Sequence, residues 1–326
     1  MRVLLVKLSS LGDVVHSLPA AMDLQAQVPD IHIDWVVEPA FAPLLKLCPA
    51  VKRIIPCDMR QWRKRWWRTD TRQAWASFQQ DLQSTAYDAV IDLQGLSKSA
   101  LVAKLAKLTA NGKRYAMANR TEGSGYEAPT RWVADVAVSC EWHSHAIDRA
   151  RHVCAQALGY ALPNPLQTGL QTLPHQDVPT RTVAFVHGSS RLDKAWPLAN
   201  WQSLALALQQ QGFALALPHA NDSELQTAQA VASACPSAVI WPRCDLVELT
   251  HRLAACAGVV GVDSGVSHIA VALGLPHVQI YNFETAWRTG PQNCAWQQSV
   301  FAKPTPSTAA VLSTWAACIA AEAHQP

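Results

Sequence analysis

Short apolar, β-branched runs recur along the chain at intervals that leave room for a helix between each pair. In the first half they are Val3–Val6, Ile33–Val37, Arg53–Pro56 and Ala89–Leu93. In the second half they are Val183–Val186, Ala214–Leu217, Val239–Trp241, Val259–Val262 and Val278–Tyr281. A continuous apolar run reads as a strand buried on both faces. Alternation of such runs with helical patterns predicts α/β domains with parallel sheets covered on both sides. The rhythm breaks at 162–181, where Pro163, Pro165, Pro174 and Pro179 stand among Gln, Thr and Asp, and this stretch reads as a linker. Two Rossmann-like domains are expected, at 1–165 and 180–326, with a ligand cleft between them.

Composition narrows this picture in a few places. The length of 326 residues agrees with two cores, and the 49% apolar content agrees with a folded chain. A net charge of +3 gives no case for nucleic acid as a partner. The nine cysteines stand singly with no zinc spacing, which suits buried thiols in a reducing compartment. The chain starts on a strand pattern rather than a secretory signal. The longest apolar stretch, Thr308 to Ala321, is too short to span a bilayer and holds Ser313, Thr314 and Cys318. A cytoplasmic protein, dissolved or peripheral to a membrane, is expected.

The first run leads into Leu8-Ser9-Ser10-Leu11-Gly12-Asp13 and then a helical pattern from Val14 to Leu24. A strand–turn–helix junction of this kind marks a ligand crevice at a sheet edge. It contains no Gly-x-Gly-x-x-Gly and no Gly-Lys-Ser/Thr, so neither a dinucleotide fingerprint nor a P-loop is present. Asp13 therefore reads in two ways, as a helix-capping carboxylate or as a general base.

Three loops in the second half follow predicted strands. Ser189 and Ser190 precede Lys194 and a Trp196-Pro197 pair that starts a helix. Lys194 suits a phosphate oxygen, or is an ordinary solvated lysine. Asp263-Ser264-Gly265, with Ser267 and His268 just beyond, opens a second helix whose free N–H groups suit a diphosphate. There Asp263 and Ser264 equally suit capping, and His268 a packed core position. Glu224 opens a third helix, where a carboxylate holds ribose hydroxyls or complements the helix dipole. All three loops lie at carboxyl ends of strands in one domain, so a nucleotide ligand is expected there.

Residues 60–68 interleave basic and tryptophan side chains. On a continuous helix, Arg60, Lys64 and Arg68 form one stripe and Trp62 and Trp66 the next. That pattern suits an anionic membrane surface or an acidic acceptor, or else a solvated face with tryptophans packed inward. Arg114 and Arg120 are candidates to extend such an acidic-ligand site.

Together these motifs, with Asp92-Leu93-Gln94-Gly95 inside the segment 87–100, resemble glycosyltransferase family 9, the lipopolysaccharide heptosyltransferases, and its type I branch over type II. The resemblance implies a GT-B fold of two facing Rossmann-like domains, with a final helix able to cross back to the first. It implies transfer of L-glycero-D-manno-heptose from ADP-heptose to the first Kdo of Kdo2-lipid A, with inversion. Asp13 then matches the catalytic base. Ser189, Ser190, Lys194, Glu224, Asp263, Ser264, Gly265 and His268 match donor-binding positions. Ser9, Ser10, Arg60, Arg63, Lys64 and Arg120 match the acceptor side. The segment Tyr281 to Thr285 departs from the glycine-proline form of the family. No Asp-x-Asp motif occurs, so no essential metal and no cofactor is expected. A nucleotide-dependent oxidoreductase would need the missing glycine fingerprint. A non-catalytic nucleotide-binding protein would be indifferent to Asp13, and a later-acting heptosyltransferase would differ in its acceptor.

Overall fold

The computed structural model describes residues 1–292 and 294–324. The chain forms two compact units, Met1–Leu170 and one that begins at Gln171, so the break lies within 162–181. The first unit runs β1 (Arg2–Val6), α1 (Leu11–Gln27), β2 (His32–Val37), α2 (Ala42–Leu45), β3 (Val51–Pro56), α3 (Met59–Lys64), α4 (Thr69–Gln83), β4 (Ala86–Asp92), α5 (Ser97–Leu105), β5 (Lys107–Met117), α6 (Pro129–Val133), β6 (Val136–Val138) and α7 (Ala146–Leu158). The second runs β7 (Thr182–Val186), a 3₁₀ turn (Leu192–Lys194), α8 (Leu198–Gln210), β8 (Ala214–Leu217), α9 (Asp222–Ala234), β9 (Ala238–Ile240), α10 (Leu246–Ala254), β10 (Gly258–Val262), α11 (Gly265–Ala272), β11 (His277–Tyr281), α12 (Ala286–Thr289), β12 (Gln297–Phe301) and α13 (Thr308–Glu322).

Each unit holds one parallel sheet of six strands, ordered β3-β2-β1-β4-β5-β6 in the first and β12-β11-β10-β7-β8-β9 in the second. Both have the doubly wound order, and the winding reverses between β1 and β4 and between β7 and β10. In such sheets the loops leaving those strands form the ligand crevice. These loops carry Ser9–Asp13, Gln94–Lys98, His187–Lys194 and Asp263–His268.

All nine apolar runs are strands, because helices bury both faces of the central ones. Three further strands, β5, β6 and β12, had no such run. β5 carries exposed Lys107, Asn111 and Lys113, and its pairing with β4 shifts register near Gly112, where a Cβ would lie 2.5 Å from the Tyr87 carbonyl oxygen. β6 and β12 are edge strands, and β12 opens with Gln297, Gln298 and Ser299.

In the first unit α1 packs on α7. Val14, Leu18 and Ala21 of α1 are fully or almost fully buried at helical spacing. A buried pair, Arg151 Nε to Asp23 Oδ2 at 2.6 Å, joins the two helices, and Arg151 also donates to the Pro163 carbonyl at 2.6 Å. In the second unit Trp201, Trp315 and Phe185 fill the core. α13, the final helix, packs on β11, β12 and α8 of its own unit. No helix among the described residues is long and apolar enough to cross a membrane.

Two expectations are corrected. The basic stretch is not one helix: α3 ends at Lys64, a turn follows, and Arg68 pairs with Asp70 at 2.7 Å, off the stripe of Arg60 and Lys64. The turn folds Trp62 onto Trp75 and Phe78 of α4, with ring centroids 5.5 and 5.3 Å apart, and that packing outweighs helix continuity. Arg114 does not stand with Arg60 and Arg63, but lines a groove between α5 and α6. Its guanidinium donates to the carbonyls of Ala103, Lys104 and Ala106 at 2.8, 3.3 and 3.1 Å and closes the C-terminal end of α5.

Candidate active site

β1 ends at Val6, and Ser10 is the N-cap of α1. Asp13 occupies the third helical position and reaches back, so its Oδ2 accepts from the Ser10 amide at 3.0 Å and the Ser10 hydroxyl at 2.8 Å. Oδ1 faces the Lys7 ammonium at 3.7 Å, and the side chain keeps 42% of its surface open to solvent. Lys7 is buried at the end of β1 and donates to the Leu93 carbonyl at 3.0 Å. Burial pushes the Asp13 carboxyl up. The Lys7 charge, the two Ser10 bonds and His16 outweigh it, and the group lies well below the usual carboxylate range. Burial likewise pulls the Lys7 ammonium down, with Asp13 opposing. Asp13 is thus both a capping carboxylate and an ionised, accessible one.

The turn is held from β4. Gln94 Oε1 accepts from the Leu8 and Ser9 amides at 2.7 and 3.1 Å, and its Nε2 donates to the Ser9 carbonyl at 2.7 Å. Gln94 in turn rests on buried Asp92, whose carboxylate accepts from the amides of Gln94 and Gly95 and from the Ser99 hydroxyl at 2.8, 3.1 and 2.9 Å. Burial pushes the Asp92 carboxyl up to about 6 against those bonds.

Ser9 is buried, and Lys98 Nζ donates to its hydroxyl at 2.7 Å and to Glu38 at 3.2 Å. Glu38 also meets Arg60 at 3.6 Å. Glu38, Arg60 and Lys98 edge a cavity of about 530 Å³ that Arg63 also lines and whose walls are Trp62, Trp66 and Trp75. The structure therefore joins Ser9, Arg60 and Arg63 to one cationic, aromatic hollow. Lys64 is exposed at the end of α3, and Arg120 is exposed on the β5–α6 loop, outside the residues that line it.

In the second unit Lys194 Nζ donates to Asp263 Oδ2 at 2.6 Å, while His268 Nε2 lies 3.4 Å from Asp263 Oδ1. Asp263 is buried. Burial raises its carboxyl, but His268 and Lys194 overcome this and hold it well below the usual range. Ser264 is the N-cap of α11, and the helix begins at Gly265. Ser267 donates to the Val262 carbonyl at 2.6 Å, fixing the first turn. Ser189 and Ser190 lie on the loop beyond β7, and Ser189 accepts from the Arg191 amide at 3.3 Å. Glu224 is the acidic member of a capping arrangement: its carboxylate accepts from the Ala220 amide at 2.7 Å and from the Asn221 amide group at 2.9 Å. It also faces Gly188, where a Cβ would come within 2.5 Å of its carboxyl carbon. That glycine lets the β7 loop and the start of α9 approach.

Several supporting residues had no signal in the sequence. Asn282 donates to the carbonyls of Asp193 and Ala195, both at 2.9 Å, and fastens the Lys194 turn to the end of β11. It lies in the segment that departs from the family form. Glu38, Gln94 and Lys98 act through partners far away in sequence, and Lys7 through Leu93 as well as nearby Asp13; the segment 87–100, which holds Gln94 and Lys98, was the available clue. Among the described residues no group of three or more His, Cys, Asp or Glu is placed to hold a metal ion.

Residues 75–309 match the family model described as glycosyltransferase family 9 (heptosyltransferase). Lipopolysaccharide heptosyltransferase 1 of Pseudomonas aeruginosa is 37% identical over 290 residues, 86% of this chain and 78% of that protein. The structure of E. coli heptosyltransferase WaaC with ADP superposes with a TM-score of 0.86 at 31% identity, covering 96% of this chain and 98% of that one. The structure of the same enzyme with ADP-2-deoxy-2-fluoro heptose gives 0.80 at 32% identity, again over 96% and 98%. With two doubly wound sheets, this match in fold, and crevice loops that gather the motif residues, the chain belongs to glycosyltransferase family 9, the heptosyltransferases.

Proposed function

We propose that the chain transfers L-glycero-D-manno-heptose from ADP-heptose to the first Kdo of Kdo2-lipid A, with inversion. The second unit takes the donor and the first the acceptor. The observation that carries the reading is the Lys194–Asp263–His268 group at the first turn of α11, where a buried carboxylate holds an ammonium beside free helix N–H groups. Such a place stabilises a leaving diphosphate by fixed charges and dipoles. The similar E. coli enzyme binds ADP-2-deoxy-2-fluoro heptose, which supports the choice of donor.

In this mechanism the acceptor hydroxyl oxygen attacks the anomeric carbon as the bond from that carbon to the diphosphate oxygen breaks. Asp13 takes the hydroxyl proton, and ADP leaves carrying the bonding electron pair. Lys194 and the α11 N-terminus receive the growing negative charge. Lys7 keeps Asp13 ionised, and Gln94 holds the turn. The cationic hollow of Arg60, Arg63 and Lys98 suits an acidic sugar. We assign the chain to the cytoplasmic face of the inner membrane as a peripheral protein.

We also propose that the reaction needs no metal, since Lys194 and the helix terminus do the work that a divalent ion does elsewhere. Turnover is expected to persist in EDTA; loss in EDTA with recovery on Mg²⁺ refutes this part. The test of the whole is ADP release together with product mass on mixing the protein with ADP-heptose and Kdo2-lipid A, with Kdo-free lipid A precursor as the control. One heptose added to the Kdo-bearing acceptor alone is expected. Transfer only to an already heptosylated core would assign a later step, and ADP binding without transfer would refute the reading.

A further inference from the structure

Beyond the site, the first unit carries large apolar side chains in solvent. Trp132 on α6 is 78% exposed, Trp67 and Trp66 on the α3–α4 turn are 75% and 54%, and Leu101 on α5 is 39%. A groove of about 600 Å³ lies between α5 and α6, lined by Leu101, Lys104, Trp132 and Val133. Leu101 also lines the hollow that contains Trp66. The two depressions share that wall, so the exposed aromatics at α3–α4 and at α6 belong to one face. Single exposed apolar residues are ordinary, whereas exposed indoles gathered around two joined depressions mark an interaction surface.

The charge on this face decides its occupant. Arg60, Arg63, Lys98, Lys104 and Arg114 line it, and the acidic lining residue, Glu38, is already met by Arg60 and Lys98. Arg63, Lys64, Arg65 and Lys104 take part in no ion pair among the described residues. Unpaired long cations beside exposed indoles match the boundary of an anionic bilayer, where tryptophan prefers the headgroup level and Lys and Arg meet lipid phosphates.

We propose that the α3–α5–α6 face docks on an anionic lipid bilayer, with Trp132, Leu101 and Trp66 entering the headgroup region. The proposal deepens the reading of a lipid-linked acceptor and rests on it for its biological sense. It adds a surface that the basic stretch alone does not define, because Trp132 and Lys104 lie more than thirty residues beyond that stretch.

The test is co-sedimentation of the full chain with vesicles of phosphatidylcholine, alone and mixed with phosphatidylglycerol. Binding is expected to the mixed vesicles, with a blue shift of tryptophan emission, and to weaken with salt. The double variant Trp132→Ser, Lys104→Gln is expected to bind about tenfold more weakly, since it loses one indole and one cation. Trp142→Ser, at a residue 58% exposed outside this face, is expected to bind like the parent. Unchanged vesicle binding by the double variant overturns the proposal, as does absence of binding by the parent chain. A concentration-dependent dimer that the double variant abolishes, without vesicle binding, assigns the face to a second copy and also overturns it. Turnover on a deacylated acceptor in solution separates the two readings. If it persists in a chain that ignores vesicles, only the docking face fails.

Discussion

Replacing Asp13 by asparagine separates two jobs that one carboxylate holds. The asparagine carbonyl oxygen can accept the bonds from the Ser10 amide and hydroxyl, now made at 3.0 and 2.8 Å, so the start of α1 is kept. Loss of such a cap altogether costs about 1 kcal/mol, and an exchange between capping residues costs a fraction of that. The lost charge removes a partner of Lys7, but the two groups are 3.7 Å apart, Asp13 is 42% open to water, and Lys7 keeps its bond to Leu93. Screened in this way, that term adds about 1 kcal/mol or less. Removal of a positioned general base slows turnover by about 10²–10⁴-fold, or roughly 3–5 kcal/mol on the barrier. The assay is ADP release at saturating donor and acceptor, with ADP-heptose affinity by calorimetry and thermal unfolding alongside. Expected are a fall in kcat of about a hundredfold or more, unchanged donor affinity and a thermal midpoint within a few degrees. Asp13→Ala is expected to lose the same turnover and, in addition, about 1 kcal/mol of stability from the cap. Near-normal turnover in Asp13→Asn, with loss only in Asp13→Ala, would refute the base and leave Asp13 a capping residue.

Three further outcomes follow from the same geometry. Gly188→Ala pushes a methyl group against the Glu224 carboxyl, 2.5 Å away, and should displace that flexible group. ADP affinity is expected to fall about tenfold, the scale of one polar contact, with stability little changed; unaltered affinity by calorimetry would exclude Glu224 from the donor site. Arg151→Met leaves Asp23 buried without its partner, and urea unfolding is expected to show a loss of about 3–5 kcal/mol, part of which Asp23→Leu in the same chain restores. Burial raises the Asp92 carboxyl to about 6, so the folded chain holds a proton that the unfolded chain has already lost between about pH 4 and 6. Stability from this group falls as pH rises through that window. Asp92→Asn, which can keep the Gln94 contact, is expected to gain about 3 kcal/mol on the parent between pH 4 and 7; parallel stability curves would contradict it.

The legible part of the fold was the part buried on both faces. Val3–Val6 and Val259–Val262 carry no polar position because helices cover each side, so they stand out in any reading of the chain. β5 escaped because exposed Lys107, Asn111 and Lys113 interrupt it and its register shifts near Gly112, and β12 because an edge strand tolerates Gln298 and Ser299. The site divided along another line. Groups that present charge at a helix start, such as Asp13, Lys194 and Asp263, were visible because their local sequence is strand, small residues, then helix. The groups that hold them were not. Gln94 meets Leu8 across 86 positions, and Asn282 meets Asp193 across 89, and no local pattern encodes either contact. The 60–68 stretch misled for a related reason: the helical stripe was a sound local reading, but Trp75 and Phe78 lie beyond it, and Trp62 packs on them from an α3 that stops at Lys64.

Capping and the proposed chemistry, which the sequence presents as competing roles, fall on the same residues at three loops. Asp13 reaches back to Ser10, Ser264 caps α11, and Glu224 accepts from Ala220. A helix start supplies oriented N–H groups, and a carboxylate bound to them is fixed in direction and kept ionised. In Asp13, Oδ2 serves Ser10 while Oδ1 faces Lys7 and, on the proposed mechanism, the acceptor hydroxyl. The same bonds make that carboxylate a weak base, held below the usual range by Lys7 and Ser10 despite its burial. A weak base takes a proton only from an oxygen that has already become acidic. On the proposed mechanism an acceptor oxygen becomes so as it bonds to the anomeric carbon, and proton transfer follows most of the breaking of the bond to ADP. On the proposed mechanism, stabilisation of the leaving diphosphate by Lys194 and α11 then carries the larger part of the barrier lowering, and Asp13 takes the proton from the acceptor oxygen.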